Sequence, residues 1–282
     1  LPKNFGSSHQ INEVNGLPFD NAVDALTPAM QGVDFVGIWV NGKIYRGNAN
    51  SLGQKHWFET DSFCLDYSLV TSSHQMVKGC YAGNDWDQSE YEKYVEDSKI
   101  KLAIMDRKPV KVDTGEYKTW FEAAAVADFL GMFSWNGISE ASIRQGCSGF
   151  GQMRHEDIRL SSKFSISEDF SPGFCPRFNS DGEVSDDSLL LIEKGELKNT
   201  LVSSRSAKEY QLESNFAESG EYLRSPRMNP GNLKHDQVLN ELKEGLYLSN
   251  IHYLNWSDNP GGRITGLTRY ACFWVEQGEI VA

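Results

Sequence analysis

Val33-Asp34-Phe35-Val36-Gly37-Ile38-Trp39-Val40-Asn41-Gly42-Lys43-Ile44-Tyr45-Arg46 is the stretch that decides the fold class. Val33, Phe35, Gly37 and Trp39 fall on alternate positions, the two-residue period of a half-buried strand. Asn41-Gly42 then offers the positive φ angles of a type I′ turn, and Ile44-Tyr45-Arg46 returns. The expectation is a β-hairpin closed at Asn41-Gly42. A second strand pair follows at 55–69 and 75–82, so this part of the chain reads as an antiparallel segment.

Working outward, Leu17-Pro18-Phe19-Asp20 signals a turn and a helix start. Residues 21–26 read as a turn or two of helix with Ala22, Val23 and Leu26 inward, ended early because Pro28 disfavours helical geometry at Thr27. On the other side, 85–105 returns to helix. Asp85 or Asp87 can cap it, acidic residues fill its first turns, and Tyr91, Tyr94, Val95, Ser98 and Leu102 share a face. Pro109 closes it, and 106–111 forms a boundary. The expected division is an N-terminal linker and helix remnant (1–32), an antiparallel β plus helix domain (33–108), and a β-rich C-terminal domain (109–282).

In that last part, 119–133 is the most helix-like run. Its alanines favour helix, and Phe121, Ala124, Ala125, Phe129, Leu130 and Phe133 would be buried. Residues 137–146 read as its continuation, and the glycines at 146–151 as too flexible to extend it. Residues 161–167 alternate as a strand. Strands at 189–192 and 197–203 flank Glu193-Lys194-Gly195-Glu196, a hairpin pattern that recurs at 275–280; two such turns do not make a repeat architecture. A helix at 234–246 carries Val238, Leu239, Leu242 and Leu246, and strands at 262–268 and 272–275 finish the sheet. Trp135, Trp256, Trp274 and Tyr270 read as core packing. The fold class is α+β.

Composition excludes several functions. The net charge of −12 over 282 residues argues against a nucleic-acid surface, which needs clustered Lys and Arg. No apolar run reaches membrane-spanning length, and no charged-then-apolar leader opens the chain. The five cysteines are scattered, with none at CxxC spacing, so neither a zinc knuckle nor a disulfide framework is indicated and a reducing cytosol fits. Leu1 is not an initiator Met, so a longer chain or a processed product is expected.

The chemistry-bearing stretch is Gly137-Ile138-Ser139-Glu140-Ala141-Ser142-Ile143-Arg144-Gln145-Gly146. By spacing alone, Glu140 and Arg144 form a solvated i, i+4 ion pair on one helical face. His155-Glu156-Asp157 has no second His at i+4, so HExxH geometry is absent. Cys147 lies near His155 in sequence, but a nucleophilic pair would need hydrogen-bond reach and an orienting third group.

The stretch keeps specific company: Val112-Asp113-Thr114-Gly115-Glu116-Tyr117 upstream, then Arg177-Phe178-Asn179-Ser180-Asp181-Gly182-Glu183-Val184, Leu191 to Leu197, Ser204-Arg205-Ser206-Ala207-Lys208, Asn229-Pro230-Gly231, Glu244-Gly245-Leu246-Tyr247, Gly266 to Tyr270 and Phe273 to Ile280. In this order the set resembles the TldD/PmbA family, once described as modulators of DNA gyrase, from about Val33 onward. The family's catalytic members carry a helical His-Glu-x-x-x-His zinc motif where this chain has Ser139-Glu140-Ala141-Ser142-Ile143-Arg144. A serine hydroxyl and a guanidinium cannot replace neutral imidazoles on Zn²⁺. The chain is similar to the metal-free PmbA/TldE type.

That resemblance implies a subunit that is not catalytic and carries no cofactor, with Ser139, Glu140 and Arg144 as degenerate motif positions. Zinc would sit in a TldD-type partner, and the complex would trim unfolded peptides; self-dimerisation is the other assembly expected. Arg205, Asn229, Gly231 and Arg269 are cleft candidates by resemblance. The family also has an N-terminal α/β domain, mostly missing here, and some sequence beyond Ala282. Two other readings stay open. The chain could itself be a metallopeptidase, with ligands such as His155 and a cysteine, or a homo-oligomeric peptide-binding protein without a protease partner.

Overall fold

A computed structural model describes residues 6–155 and 158–282. Leu1 and its four successors, and Glu156-Asp157 of the His-Glu-Asp triplet, lie outside them. In chain order, β1 (Ser8–Asn12), α1 (Ala22–Met30), β2 (Asp34–Ala49), β3 (Lys55–Val70), β4 (Met76–Gly83) and α2 (Gln88–Ile104) build the first sheet and its helical cover. β3 pairs antiparallel with β2 along one edge; its other edge takes β1 in parallel and then β4 antiparallel.

The hairpin is real, but its turn is not at Asn41-Gly42. β2 runs straight through that dipeptide, pairing Asn41 with Phe63 and Gly42 with Ser62. The Asn41 side chain is spent on the Leu17 carbonyl instead. The turn falls at 50–54, where the Asn50 Oδ1 accepts the Leu52 and Gln54 amides at 3.0 and 3.3 Å, the Asx geometry that reverses a chain. Two sixteen-residue strands in register outweigh one dipeptide's local preference.

β3 buries different faces along its length. His56, Phe58 and Thr60 are buried in its first half, then Phe63, Leu65, Tyr67 and Leu69, of opposite parity, in its second. The second set packs with Val77 and Tyr81 of β4, Tyr91 and Val95 of α2, and Leu26 of α1. Helix α2 starts where Asp87 accepts the Glu90 amide at 2.9 Å. Helix α1 contains Pro28 and does not stop before it. Burial of Leu26 and the Tyr91 hydroxyl on the Leu26 carbonyl (2.8 Å) hold the last turn in place. Val23, expected inward, is 67% exposed.

The remainder contains β5 (Thr119–Phe121), α3 (Ala123–Phe133), α4 (Glu140–Arg144), α5 (Phe150–His155), β6 (Ile166–Asp169), β7 (Ser188–Glu193), β8 (Glu196–Leu197), α6 (Ser204–Tyr210), β9 (Pro226–Met228), α7 (Val238–Leu242), β10 (Gly245–Asp258), β11 (Arg263–Glu276) and β12 (Glu279–Ile280). One sheet has the order β12-β11-β10-β5 and another β8-β7-β6-β9. The architecture is α+β. Thr119–Phe121 is a strand rather than the first turn of α3, because it pairs in parallel with Leu246–Leu248 of β10. Of the residues expected to be buried there, Ala125 is, while Ala124 is exposed; Met132, which was not expected, is buried as well.

The helix expected at 234–246 shrinks to a 3-10 turn and α7. Lys243 takes a φ of 60°, and Gly245 enters β10 so close to Lys118 that a Cβ would lie 2.0 Å from its carbonyl oxygen. Only glycine fits there. The expected strand at 161–167 begins only at Ile166, and α5 occupies part of the glycine-rich stretch. Trp135 is 58% exposed and takes no part in the core.

Two apolar clusters result. The first joins α1, α2, β3 and β4 to Val238, Leu242, Tyr247, Ala271, Phe273 and Val275 of the C-terminal elements. The second holds Ile138, Ile143, Phe150, Ile166, Leu191, Ile192, Leu201 and Ala217. Tyr91 in the first cluster is fully buried. Tyr91→Phe keeps the ring and loses the bond to Leu26, so urea unfolding should show a loss of about 1 kcal/mol. Tyr91→Ala should cost about 3–5 kcal/mol, as for other buried aromatics.

Candidate functional site

Helix α3 ends at a sharp break, where the Gly137 and Ile138 amides both bond the Phe133 carbonyl, at 3.1 and 2.9 Å. Ser139 then restarts the helix, its Oγ accepting the Ser142 amide at 3.1 Å as an N-cap. The backbone here pairs with 201: Glu140 N reaches the Leu201 carbonyl and Leu201 N the Ile138 carbonyl, each at 3.0 Å. This pairing pulls Glu140 inside. It is 2% exposed, so the i, i+4 pair with Arg144 expected from spacing forms, but on a buried carboxylate rather than a solvated one.

Glu140 is saturated. Its Oε1 accepts Arg144 Nε at 2.8 Å and Arg154 Nη1 at 3.0 Å; its Oε2 accepts Arg154 Nη2 at 2.7 Å and the Thr200 hydroxyl at 2.6 Å. A carboxylate offers about four lone-pair sites. All four are used. Burial pushes this carboxyl up, but the hydrogen bonds from Arg154, Thr200 and Arg144 prevail and hold it at about 2, below its ordinary 4.5.

A second buried carboxylate lies alongside. Glu221 Oε2 accepts the Ser139 hydroxyl at 2.6 Å and the Ala141 amide at 2.9 Å, while its Oε1 accepts the amide and hydroxyl of Ser203, each at 2.9 Å. Ser203 is the N-cap of α6, so one carboxylate closes the starts of two short helices, where unpaired amides favour negative charge. Burial raises Glu221, and the hydrogen bonds outweigh it, leaving the carboxyl below its ordinary value. Its backbone sits at a φ of 51°, a strain this network overcomes.

The set does not suit a divalent cation. The Ser139 hydroxyl already donates to Glu221 and accepts from Ser142, Arg144 brings a fixed positive charge, and Glu140 has no free lone pair. His155 is exposed at the end of α5. Among the described residues no three His, Cys, Asp or Glu side chains gather as a metal cluster. Cys147 is exposed and turns its thiol to the Gln145 carbonyl at 3.6 Å.

The cleft candidates lie on separate elements. Arg205 is exposed on α6, Asn229 bonds the Ser165 carbonyl through its amide at 3.0 Å, and Gly231 is exposed in the loop after β9. Arg269 is exposed on β11, its guanidinium 5.0 Å from the Tyr270 ring centre. Sequence reasoning missed Arg154, Thr200, Ser203 and Glu221. Only the cap-like Ser139 and Ser203 left a local signal; the others reach the site through tertiary pairing.

The sheets, the helix break and the carboxylate pair sit in an α+β fold. A sequence profile described as the PmbA/TldA metallopeptidase C-terminal domain matches residues 114–282, more than half of the chain, and the chain belongs to the TldD/PmbA family. The fold is similar to a crystal structure of a proposed modulator of DNA gyrase from Thermotoga maritima MSB8, with 16% identity, TM-score 0.73, and 98% of this chain matching 68% of that one. A second protein of that description, from Bacteroides thetaiotaomicron VPI-5482, gives 14% identity and TM-score 0.70 over 94% of this chain and 61% of its own. TldE from Thermococcus kodakarensis gives 16% and 0.65 over 99% and 70%. Comparison with curated proteins yields no match. The chain thus spans roughly two thirds of the length of the structures it resembles.

The low carboxyl value of Glu140 has a definite sign for stability. With a folded value of about 2 against an ordinary 4.5, its contribution is complete above 4.5 and is lost as pH falls from there toward 2. Arg154→Met should lower stability at neutral pH by about 3 kcal/mol. It should also flatten the acid decline, because the contribution is already gone. Urea unfolding at a series of pH values measures both effects; equal acid slopes in the two proteins would refute the assignment.

Proposed function

We propose that this chain is a non-catalytic, PmbA/TldE-like subunit of a TldD-type zinc metallopeptidase complex that degrades or trims unfolded peptides in a reducing cytosol. The carrying observation is the saturation of Glu140. A glutamate acting as general base needs a free lone pair facing a metal-bound water. Here Arg154 and Thr200 take both outward directions of Oε2, and Arg144 and Arg154 fill Oε1. On this reading the zinc motif has been replaced by an interior ion cluster, no metal is held by this chain, and zinc and its water belong to the partner. An extended peptide would bind by backbone hydrogen bonds to sheet edges, with Arg205, Asn229, Gly231 and Arg269 shaping its path.

Elemental analysis of the purified protein after dialysis against a weak chelator, paired with peptidase assays, tests this. Zinc should be absent, and activity should arise only when a TldD-type partner is added. Stoichiometric, tightly held zinc would overturn the proposal. Within the assembled complex, Glu140→Gln and Thr200→Val should lower the unfolding midpoint of this chain yet leave kcat nearly unchanged. A fall of several orders of magnitude in kcat, with the complex intact by size exclusion, would make Glu140 catalytic after all.

A further inference from the structure

The first sheet carries two thiols that the proposed role in peptide processing does not use. Cys64 on β3 is opposite Ala82 of β4, and Cys80 on β4 is opposite Asp66 of β3, which makes the two cysteines diagonal neighbours on one face. That face turns away from the apolar cluster, which takes Phe63, Leu65, Tyr67, Val77 and Tyr81 from the opposite side. The sulfurs lie 3.9 Å apart, with Cys80 exposed and Cys64 half-buried. The other three cysteines differ: Cys147, Cys175 and Cys272 each turn the thiol toward a backbone carbonyl.

We propose that Cys64 and Cys80 form an oxidisable dithiol that closes to an intramolecular disulfide, tying β4 to β3, when the protein meets a peroxide. A disulfide needs the sulfurs at about 2.05 Å, so the gap to close is roughly 2 Å, within reach of side-chain rotation and a small strand shift. β4 can supply that shift, since β3 is its only strand partner among the described residues. At Gly79, next to Cys80, β4 already lies so close to β3 that a Cβ would overlap the Tyr67 ring at 2.2 Å.

The reaction balances in two steps. One sulfur, as thiolate, attacks a peroxide oxygen; the O–O bond breaks, giving a sulfenic acid and, after protonation, water. The second thiol then attacks the sulfenic sulfur; the S–S bond forms, the S–O bond breaks, and the hydroxyl leaves as a second water. Two thiols are oxidised and one hydrogen peroxide is reduced. Burial and the neighbouring Cys64 push the Cys80 thiol up to about 11, which keeps its thiolate scarce. The ion pair of Lys78 with Asp66 lies on the same face of the sheet.

The test uses the full chain, reduced, freed of reductant and treated with hydrogen peroxide. Thiols titrated in denaturant should fall from five to three. A peptide map should show the segments holding Cys64 and Cys80 joined with the loss of two hydrogens, and dithiothreitol should restore them. The thermal midpoint should rise by several degrees on oxidation in the native protein and stay put in Cys64→Ser and in Cys80→Ser, both checked for native circular dichroism. Five persistent thiols, a covalent dimer, over-oxidation to sulfinic acid without a cross-link, or a link through another cysteine would each overturn the proposal.

Discussion

The starts of two helices meet at one buried carboxylate, and the site is arranged around that constraint. Glu221 receives Ser139 and Ala141 from the head of α4 and Ser203 from the head of α6. Neither helix is long enough to hold its orientation alone; each has only a few residues and its stability comes from tertiary contacts. Fixing both to a single anion sets the direction of α4. That direction carries Glu140 inward to meet Arg154 and Thr200, which come from a different helix and a different loop.

The consequence is a polar interior with its valences filled. Two carboxylates side by side would repel if each lacked its own cations or donors. Here one is held by guanidinium groups and a hydroxyl and the other by amides and hydroxyls, and both titrate below their ordinary values. Each carboxylate has its acceptor directions taken by donors from within the chain.

Much of the fold was legible in the sequence because period-two alternation and cap residues act locally. The strands at β3 and β4, the helix α2 with its Asp87 cap, and the Glu193–Glu196 hairpin could be read that way. The failures occurred where distant partners decided. Asn41-Gly42 has strong turn chemistry, yet Phe63 and Ser62 hold it in a strand. Thr119–Phe121 looked like helix until β10, over a hundred residues later, supplied an edge. At the site, the identity of Ser139, Glu140 and Arg144 was plain, and the depth of Glu140 was not. Its burial depends on Arg154 and Leu201, and no spacing rule reaches across those intervals.

β3 switches its buried face between Thr60 and Phe63 although its pairing with β2 runs without a register shift. No bulge turns the strand over; the material covering it changes sides. Its first half meets the loop around Phe178, against which the His56 ring stacks at 5.1 Å, and its second half meets α2 and the C-terminal sheet. A slip of one residue would expel both apolar sets together, since each would rotate to the uncovered side. The strand therefore behaves as a key cut on both edges, with a single insertion depth at which either side fits.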